Sequence, residues 1–219
     1  MAAEEDRSRV HHLSKTLVIL SPSPQKVLED VFGYPEFRGQ QQSIIEATLE
    51  GRDSLVIMPT GGGKSLCYQI PAMLREGTGL VVSPLIALMQ DQVTALRELG
   101  IEAEFLNSSQ SSDERREVMT KLRQGRLQLL YVAPERLVTA HTKSLLRDIP
   151  LSIIAIDEAH CVSLWGHDFR PEYRQMGRLK KLFNNVNILI EGARDTSERL
   201  ERMETRLDEL AEKMGPGEG

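Results

Sequence analysis

The chain has 219 residues, of which 40% are hydrophobic, and this is enough for one domain with a core and short additional segments. Its formal net charge of −5 excludes a general charge-driven affinity for nucleic acid, although a local basic patch can still bind it. The apolar cluster at residues 17–20 is too short for a signal-peptide core or a membrane span. We therefore expect a soluble, intracellular, cytoplasmic protein whose two cysteines, Cys67 and Cys161, are reduced and packed.

Residues 1–23 mix charged residues, serine and proline, and they predict a leader and linker. Helices are expected at 25–32 and 40–49, and strand and helix patterns then alternate. The expected strands are 55–58, 79–83, 103–106, 128–132 and 152–156, and the helices are 64–74, 85–99 and 113–122. Pro71 is expected to kink or end its helix. This alternation predicts an α/β fold with a parallel sheet flanked by helices.

A glycine-rich segment after the first strand has the composition of a phosphate-binding loop. It reads Pro59-Thr60-Gly61-Gly62-Gly63-Lys64-Ser65. Glycines let successive backbone N–H groups point at one place, where the following helix adds the positive end of its dipole. In such a loop Lys64 reaches the β- and γ-phosphates of a nucleotide, and the Ser65 hydroxyl binds Mg²⁺. A plain glycine-rich turn is the alternative.

An acidic motif, Asp157-Glu158-Ala159-His160, follows the last strand of the alternating series and argues against that alternative. In parallel sheets ligands bind at the carboxyl ends of strands, so this motif and the glycine loop are expected to share one site. Asp157 is expected to hold Mg²⁺ through water, since that ion keeps several of its waters. Glu158 is expected to orient and deprotonate the attacking water, and His160 to relay to a neighbouring element.

Three further segments, at 81–93, 131–137 and 161–173, complete a series of motifs in a fixed order. With the two motifs above, they closely resemble RecQ-family ATP-dependent DNA helicases of superfamily 2. The resemblance covers residues 25–183 and corresponds to the first of the two RecA-like motor domains of that family. It implies ATP and Mg²⁺ as ligands, and single-stranded or partly duplex DNA as partner.

The resemblance also assigns an adenine-recognition segment at residues 32–41. There Tyr34 and Arg38 would stack on the two faces of the base, and the Gln41 amide would bond the adenine edge. An aromatic ring and a guanidinium plane both stack on bases, and an amide can pair with adenine. The alternative is a capped helix entrance in which Tyr34 belongs to the core.

DNA contacts are implied at three places. Two are strand-to-helix turns whose N–H groups and hydroxyls would hold phosphates. The third is an aromatic-rich loop that in the family senses DNA and switches on hydrolysis, with a buried aromatic cluster as the alternative. The residues are Ser83, Pro84, Leu85, Pro134, Glu135, Arg136, Trp165, His167, Phe169 and Arg170.

The resemblance stops after Phe183. Residues 187–190 could still form the next strand, but Glu191-Gly192-Ala193 stand where the family has a Thr-Ala-Thr-Ala motif, and the second motor domain, zinc module and winged helix are not found. From this we expect ATP binding without fast autonomous hydrolysis, and no processive unwinding by one copy.

Residues 191–219 predict a helical tail with a heptad seam. The seam residues are Leu200, Met203, Leu207, Leu210 and Met214. They would form a parallel homodimer, or the helix would pack on the motor domain or stay loose. The expected domains are thus a leader at 1–23, an ATP-binding domain at 24–190 and the tail. The competing function is a non-enzymatic nucleotide-binding adaptor dimerised through that tail.

Overall fold

The computed structural model describes residues 22–59, 61–137, 139–158 and 186–193, and for 191–193 only the backbone. The expectations for Thr60, His160, Cys161, the aromatic-rich loop and the tail seam lie outside these residues. Helices in the described part are α1 (Pro24–Asp30), α2 (Gln41–Leu49), α3 (Leu66–Leu74), α4 (Ile86–Glu98), α5 (Ser112–Arg123), α6 (Pro134–Leu137) and α7 (Ala140–Arg147). Strands are β1 (Ser54–Met58), β2 (Thr78–Val82), β3 (Ala103–Leu106), β4 (Leu129–Val132), β5 (Leu151–Ile156) and β6 (Ile188–Ala193).

The described strands form one parallel sheet in the order β1-β6-β5-β2-β4-β3. The predicted α/β architecture is therefore confirmed, and the fold is that of a RecA-like phosphate-loop domain. The last strand enters between β1 and β5, which leaves β1 at one edge of the sheet and β3 at the other. It also runs three residues past residue 190, because Glu191, Gly192 and Ala193 pair with β1.

Each strand divides its side chains between two apolar layers because successive residues point to opposite faces. In β5, Ile154 and Ile156 pack with α5 and α7 on one face, whereas Ile153 and Ala155 pack with α3 and α4 on the other. A smaller third cluster lies beneath α1 and α2. Strands β2 and β4 are buried throughout and β5 at all but its first residue, as expected for the centre of a parallel sheet covered on both sides, whereas edge strand β1 is only partly buried.

Helix α3 lies unusually close to β2 because Gly79 has no side chain. A Cβ built there would meet the Cβ of Ala72 at 2.6 Å and Leu129 at 3.1 Å. The helix also continues through Pro71 to Leu74, so the proline does not end it. Pro71 lacks a backbone N–H donor, but because it lies in the last turn, the helix continues for its three remaining residues.

Helices α6 and α7 were not among the helices expected from the alternating pattern, although a strand-to-helix turn was expected at Pro134. Thr139 caps the second of them, since its hydroxyl accepts a hydrogen bond from the Thr142 N–H at 3.3 Å. Helix α5 begins with a reciprocal cap, in which Ser111 and Glu114 each accept a bond from the other's backbone N–H. No helix among the described residues is long and apolar enough to cross a bilayer.

Edge strand β3 carries a buried carboxylate, Glu104, between two cations. It bonds the Lys121 ammonium at 2.8 Å and pairs with the Arg97 guanidinium. Lys121 also bonds Glu117 at 3.1 Å. The hydrogen bond to Glu104, followed by that to Glu117, raises the pKa of Lys121 above its ordinary range. This cluster fixes α4 and α5 to the sheet edge.

We expect Glu104→Gln to lower the free energy of unfolding by about 2 kcal/mol, because it weakens hydrogen bonds to charged groups at a buried position. A raised lysine pKa stabilises the fold below the unfolded pKa of about 10.4, and this contribution is lost as pH rises through the folded pKa. The alkaline loss of stability should therefore shrink in the variant. Urea unfolding from neutral to alkaline pH measures both effects.

The matched control is Asp113→Asn, which removes an exposed pair with Arg116. Exposed pairs contribute about 0–1 kcal/mol. Equal effects of the two substitutions, or an unchanged alkaline profile in Glu104→Gln, would contradict a stabilising role for the buried cluster.

Candidate nucleotide site and strand-binding edge

The glycine loop connects β1 to α3 at the carboxyl edge of the sheet. Gly61 and Gly63 both have positive φ, +78° and +71°, and the Gly62 N–H donates to the Pro59 carbonyl at 3.0 Å. Lys64 and Ser65 are half-buried and directly precede α3. The structure thus places the predicted loop residues in the strand–loop–helix setting that phosphate binding requires.

Gln41 braces this loop from the start of α2. Its side-chain amide donates to the carbonyls of Gly62 and Gly63, at 3.2 and 3.0 Å, and its oxygen accepts the Arg38 N–H at 2.8 Å. The side chain is 2% exposed. The amide expected to face the adenine edge therefore also ties the adenine-recognition segment to the phosphate loop. Its two N–H donors both serve the loop, and one oxygen lone pair remains for another partner.

Tyr34 and Arg38 lie at the surface beside Gln41. The Tyr34 ring is 45% exposed, which contradicts the alternative that it belongs to the core. The guanidinium carbon of Arg38 lies 5.8 Å from the ring centroid, the distance of a direct cation–π contact. A base stacked between them needs about 3.5–4 Å on each side, so the two groups would separate by roughly 1–2 Å to admit one.

The acidic motif begins where β5 ends. Asp157 is 7% exposed, its N–H donates to the Val82 carbonyl at 2.9 Å, and its Oδ1 accepts the Glu158 N–H at 2.8 Å. Glu158 has φ +53°, in the left-handed region that non-glycine residues rarely adopt. Such a conformation costs about 1–2 kcal/mol and is held by the surrounding structure.

The glycine loop and the acidic motif both lie at the carboxyl ends of the strands. Strands β1 and β5 both pair in parallel with β6, one on each side. With strand spacings of about 4.8 Å, their carboxyl ends are about 10 Å apart. The glycine loop and Asp157 therefore lie on either side of β6, about two strand spacings apart.

The donor atoms fit Mg²⁺, which prefers oxygen ligands and keeps several waters. The Ser65 hydroxyl and the Asp157 carboxylate supply such oxygens. The described residues contain no group of three His, Cys, Asp or Glu able to hold a metal ion by themselves. A magnesium ion at this place would thus depend on nucleotide phosphates and water for its remaining ligands.

A chain of hydrogen bonds that the sequence did not suggest extends from the loop into the domain. The Gln92 amide donates to Ser65 Oγ at 3.4 Å, and the Gln69 amide donates to Gln92 Oε1 at 2.9 Å and to the Tyr131 hydroxyl at 3.2 Å. The Tyr131 and Tyr68 hydroxyls are 3.3 Å apart, with their rings edge to face. This chain joins α3, α4 and β4.

The segments expected to contact DNA follow β2 and β4. Ser83 is 1% exposed, and its N–H donates to the Val132 carbonyl at 3.2 Å, so its backbone donor already serves the sheet. Pro84 is buried as well, whereas Leu85 is 45% exposed and directly precedes α4. Among the expected residues before α4, Leu85 is therefore the one that reaches the surface.

After β4, Pro134 is buried, and Glu135 and Arg136 are half-buried within α6. The free donors at the α4 N-terminus and the Arg136 guanidinium are the groups in these segments best suited to phosphate. The Ser83 hydroxyl is enclosed and has no hydrogen-bond partner in the described part of the chain.

Comparison with known proteins shows the family. The profile of the DEAD/DEAH box helicases matches residues 38–193. The chain is 57% identical over 163 residues to the ATP-dependent DNA helicase RecQ of Pasteurella multocida, and 51% identical over 167 residues to that of Bacillus subtilis. These alignments cover 74% and 76% of the chain, but only 26% and 28% of the relatives.

Solved structures agree on the fold. The DUF1998 helicase MrfA, crystallised with DNA and AMPPNP, aligns with a TM-score of 0.65 and 23% identity, over 80% of the chain and 26% of that protein. A hypothetical ATP-dependent RNA helicase from Sulfolobus tokodaii aligns with a TM-score of 0.55 and 19% identity, over 80% of the chain and 51% of that protein. The helicase profile matches most of the chain, and the RecA-like sheet, the glycine loop and the acidic motif agree with that match. The chain therefore belongs to the DEAD/DEAH box helicase family.

Proposed function

We propose that the chain binds ATP with Mg²⁺ between the glycine loop and Asp157, and single-stranded or partly duplex DNA at the carboxyl ends of β2 and β4. The observation that carries this proposal is the sheet order, in which β6 separates the two nucleotide motifs by one strand at a shared edge. The relatives named as ATP-dependent DNA helicases support it.

Each residue at the nucleotide site has a role that follows from its position. Lys64 and the N–H groups of the loop neutralise and orient the phosphates, while Tyr34 and Arg38 stack on the base. Ser65 and Asp157 would hold Mg²⁺, which when bound neutralises charge on the β- and γ-phosphate oxygens. Gln41 sets the loop and reaches the base with its remaining lone pair.

Hydrolysis would use Glu158 as the group that accepts a proton from water. The water oxygen bonds the γ-phosphorus as the bond to the β–γ bridging oxygen breaks, and ADP leaves with that electron pair. The end of β6 carries Glu191-Gly192-Ala193 rather than threonine hydroxyls. We therefore propose that turnover by this chain is slow and rises with single-stranded DNA. An adaptor that uses nucleotide only for stability would show no such rise.

The decisive experiment is a titration with a fluorescent ATP analogue, with and without Mg²⁺. We expect saturable binding that requires Mg²⁺, and about tenfold weaker binding in Asp157→Asn because a metal-facing carboxylate loses its charge. The control is Asp148→Asn, an exposed aspartate at the end of α7. Absence of wild-type binding, or equal affinities in the two variants, would overturn the proposed nucleotide site.

A further inference from the structure

A basic groove lies on the α5 and α7 side of the sheet, beyond Arg136. It has a volume of about 450 Å³ and is bounded by the end of β3, one face of α5, and the turn between α6 and α7. We call it the α5 groove. Its cationic residues are Arg115, Arg116, Arg123 and Arg136, and the His141 imidazole also lines it. Ser112, Thr139 and Thr142 add hydroxyls, and no lining residue is acidic.

Helix α5 places its groove-lining arginines and its glutamates on different faces. Arg115, Arg116 and Arg123 line the groove, whereas Glu114 and Glu117 do not. The Arg115 guanidinium is oriented by the Gln110 carbonyl and by Ser112 Oγ, so it is held at the groove wall. A wall of guanidinium and hydroxyl groups suits phosphate, which guanidinium binds in a bidentate manner. The exposed Asp113 carboxylate pairs with Arg116 at 3.3 Å from outside the lining.

The sheet order aligns this groove with the proposed DNA contacts. Strand β4 pairs with β2 on one side and with β3 on the other. Leu85 follows β2, Arg136 follows β4, and the groove begins at Leu106, where β3 ends. The carboxyl ends of three adjacent strands therefore form a row about 10 Å across, which leads away from the nucleotide site and to the groove.

We propose that the α5 groove binds backbone phosphates of the DNA strand after it passes Arg136. This inference rests on the proposed DNA binding and extends it by a separate subsite. The ligand is a phosphodiester chain, and the recognition is by charge and hydroxyl groups without reading of sequence. Strand binding should accordingly depend on salt, because each neutralised phosphate releases counterions.

The test compares Arg116→Gln/Arg123→Gln with Arg126→Gln/Arg147→Gln. All four arginines are exposed, and neither residue of the control pair lines the groove. Fluorescence anisotropy measures binding of two oligodeoxythymidines, one spanning only the α4 and α6 contacts and one long enough to enter the groove, over a range of salt concentrations.

For the long oligonucleotide we expect the groove variant to bind about tenfold more weakly. The slope of log K against log salt is negative, and its magnitude should decrease by roughly 1.4 in this variant, because each of the two lost phosphate contacts contributes about 0.7. The short oligonucleotide should bind both variants alike. Equal affinities and slopes in the two variants for the long strand would overturn the groove while leaving the proposed function intact.

Two further outcomes are distinguishable. If the wild-type chain binds ATP but neither oligonucleotide, the DNA part of the proposed function fails and this inference fails with it. A separate thermal-shift experiment with inorganic phosphate alone tests whether the groove binds a free anion instead of a DNA backbone. Stabilisation by phosphate that disappears in the groove variant, without any loss of long-strand affinity, would assign the groove to a small anion and overturn the DNA reading.

Discussion

Gly63→Ala is expected to weaken ATP binding about a hundredfold while the domain remains folded. The glycine has φ +71°, and a Cβ there would lie 2.4 Å from the Gln41 side-chain nitrogen. That side chain can move, but it then loses its bonds to the loop carbonyls and to the Arg38 N–H. The loop would thus lose its shape and its brace together, which amounts to roughly 2.7 kcal/mol of binding energy. Titration with a fluorescent ATP analogue measures the loss.

Gly125→Ala is the matched control for this variant. Gly125 also has positive φ, +66°, and a Cβ there would meet nothing within 4 Å. Both variants carry the same left-handed strain of about 1–2 kcal/mol, which lowers both melting temperatures, and Gly63→Ala loses the Gln41 hydrogen bonds in addition. Only Gly63→Ala should lose ATP affinity. If both variants retain wild-type affinity, the close approach of Gln41 to the loop has no role in nucleotide binding.

Gln41→Ala is expected to weaken ATP binding ten- to a hundredfold. It removes the amide that spans the Gly62 and Gly63 carbonyls and the Arg38 N–H. Buried polar groups left without partners cost about 1–3 kcal/mol, and here they belong to the phosphate loop itself. Isothermal titration with ATP and Mg²⁺ measures the affinity, and urea unfolding separates it from a general loss of stability.

The control is Gln42→Ala, the next residue along α2. Its amide bonds the Glu46 carboxylate on the exposed face of the helix, so nucleotide affinity should not change. Because Gly63→Ala acts largely by displacing Gln41, the double variant Gly63→Ala/Gln41→Ala should be little worse than Gly63→Ala alone. Full additivity of the two effects would show that the glycine and the glutamine act separately.

Much of the fold could be predicted because its signals are local. Residues 103–106 form β3 as expected, and the apolar runs before the glycine loop and before Asp157 form β1 and β5. The short helix α7 was missed because its buried face holds only two apolar residues, Leu145 and Leu146, which are too few to define a helical period. Its N-cap, Thr139, was the one local signal that could have revealed it.

The candidate site shows the limit of sequence reasoning more clearly. Motif composition indicated which residues meet phosphate and metal, because those chemical requirements are carried by residue type and spacing. It could not show that Gln41 holds carbonyls 21 and 22 positions away, or that Gln69 bonds Tyr131 across 62 positions. Such contacts depend on how the sheet brings α2, α3 and β4 together. The basic groove was missed for the same reason, since its arginines come from α5 and α6.

The hydrogen-bond chain from Ser65 to Tyr131 crosses from the half of the sheet that holds the phosphate loop to the half that ends in Arg136. Gln92 belongs to α4, whose first turn faces the proposed path of the DNA, so a small rotation of that helix changes the donor presented to the serine hydroxyl. Thermodynamic reciprocity then applies. By whatever factor a bound strand alters the affinity for nucleotide, nucleotide must alter the affinity for the strand by the same factor.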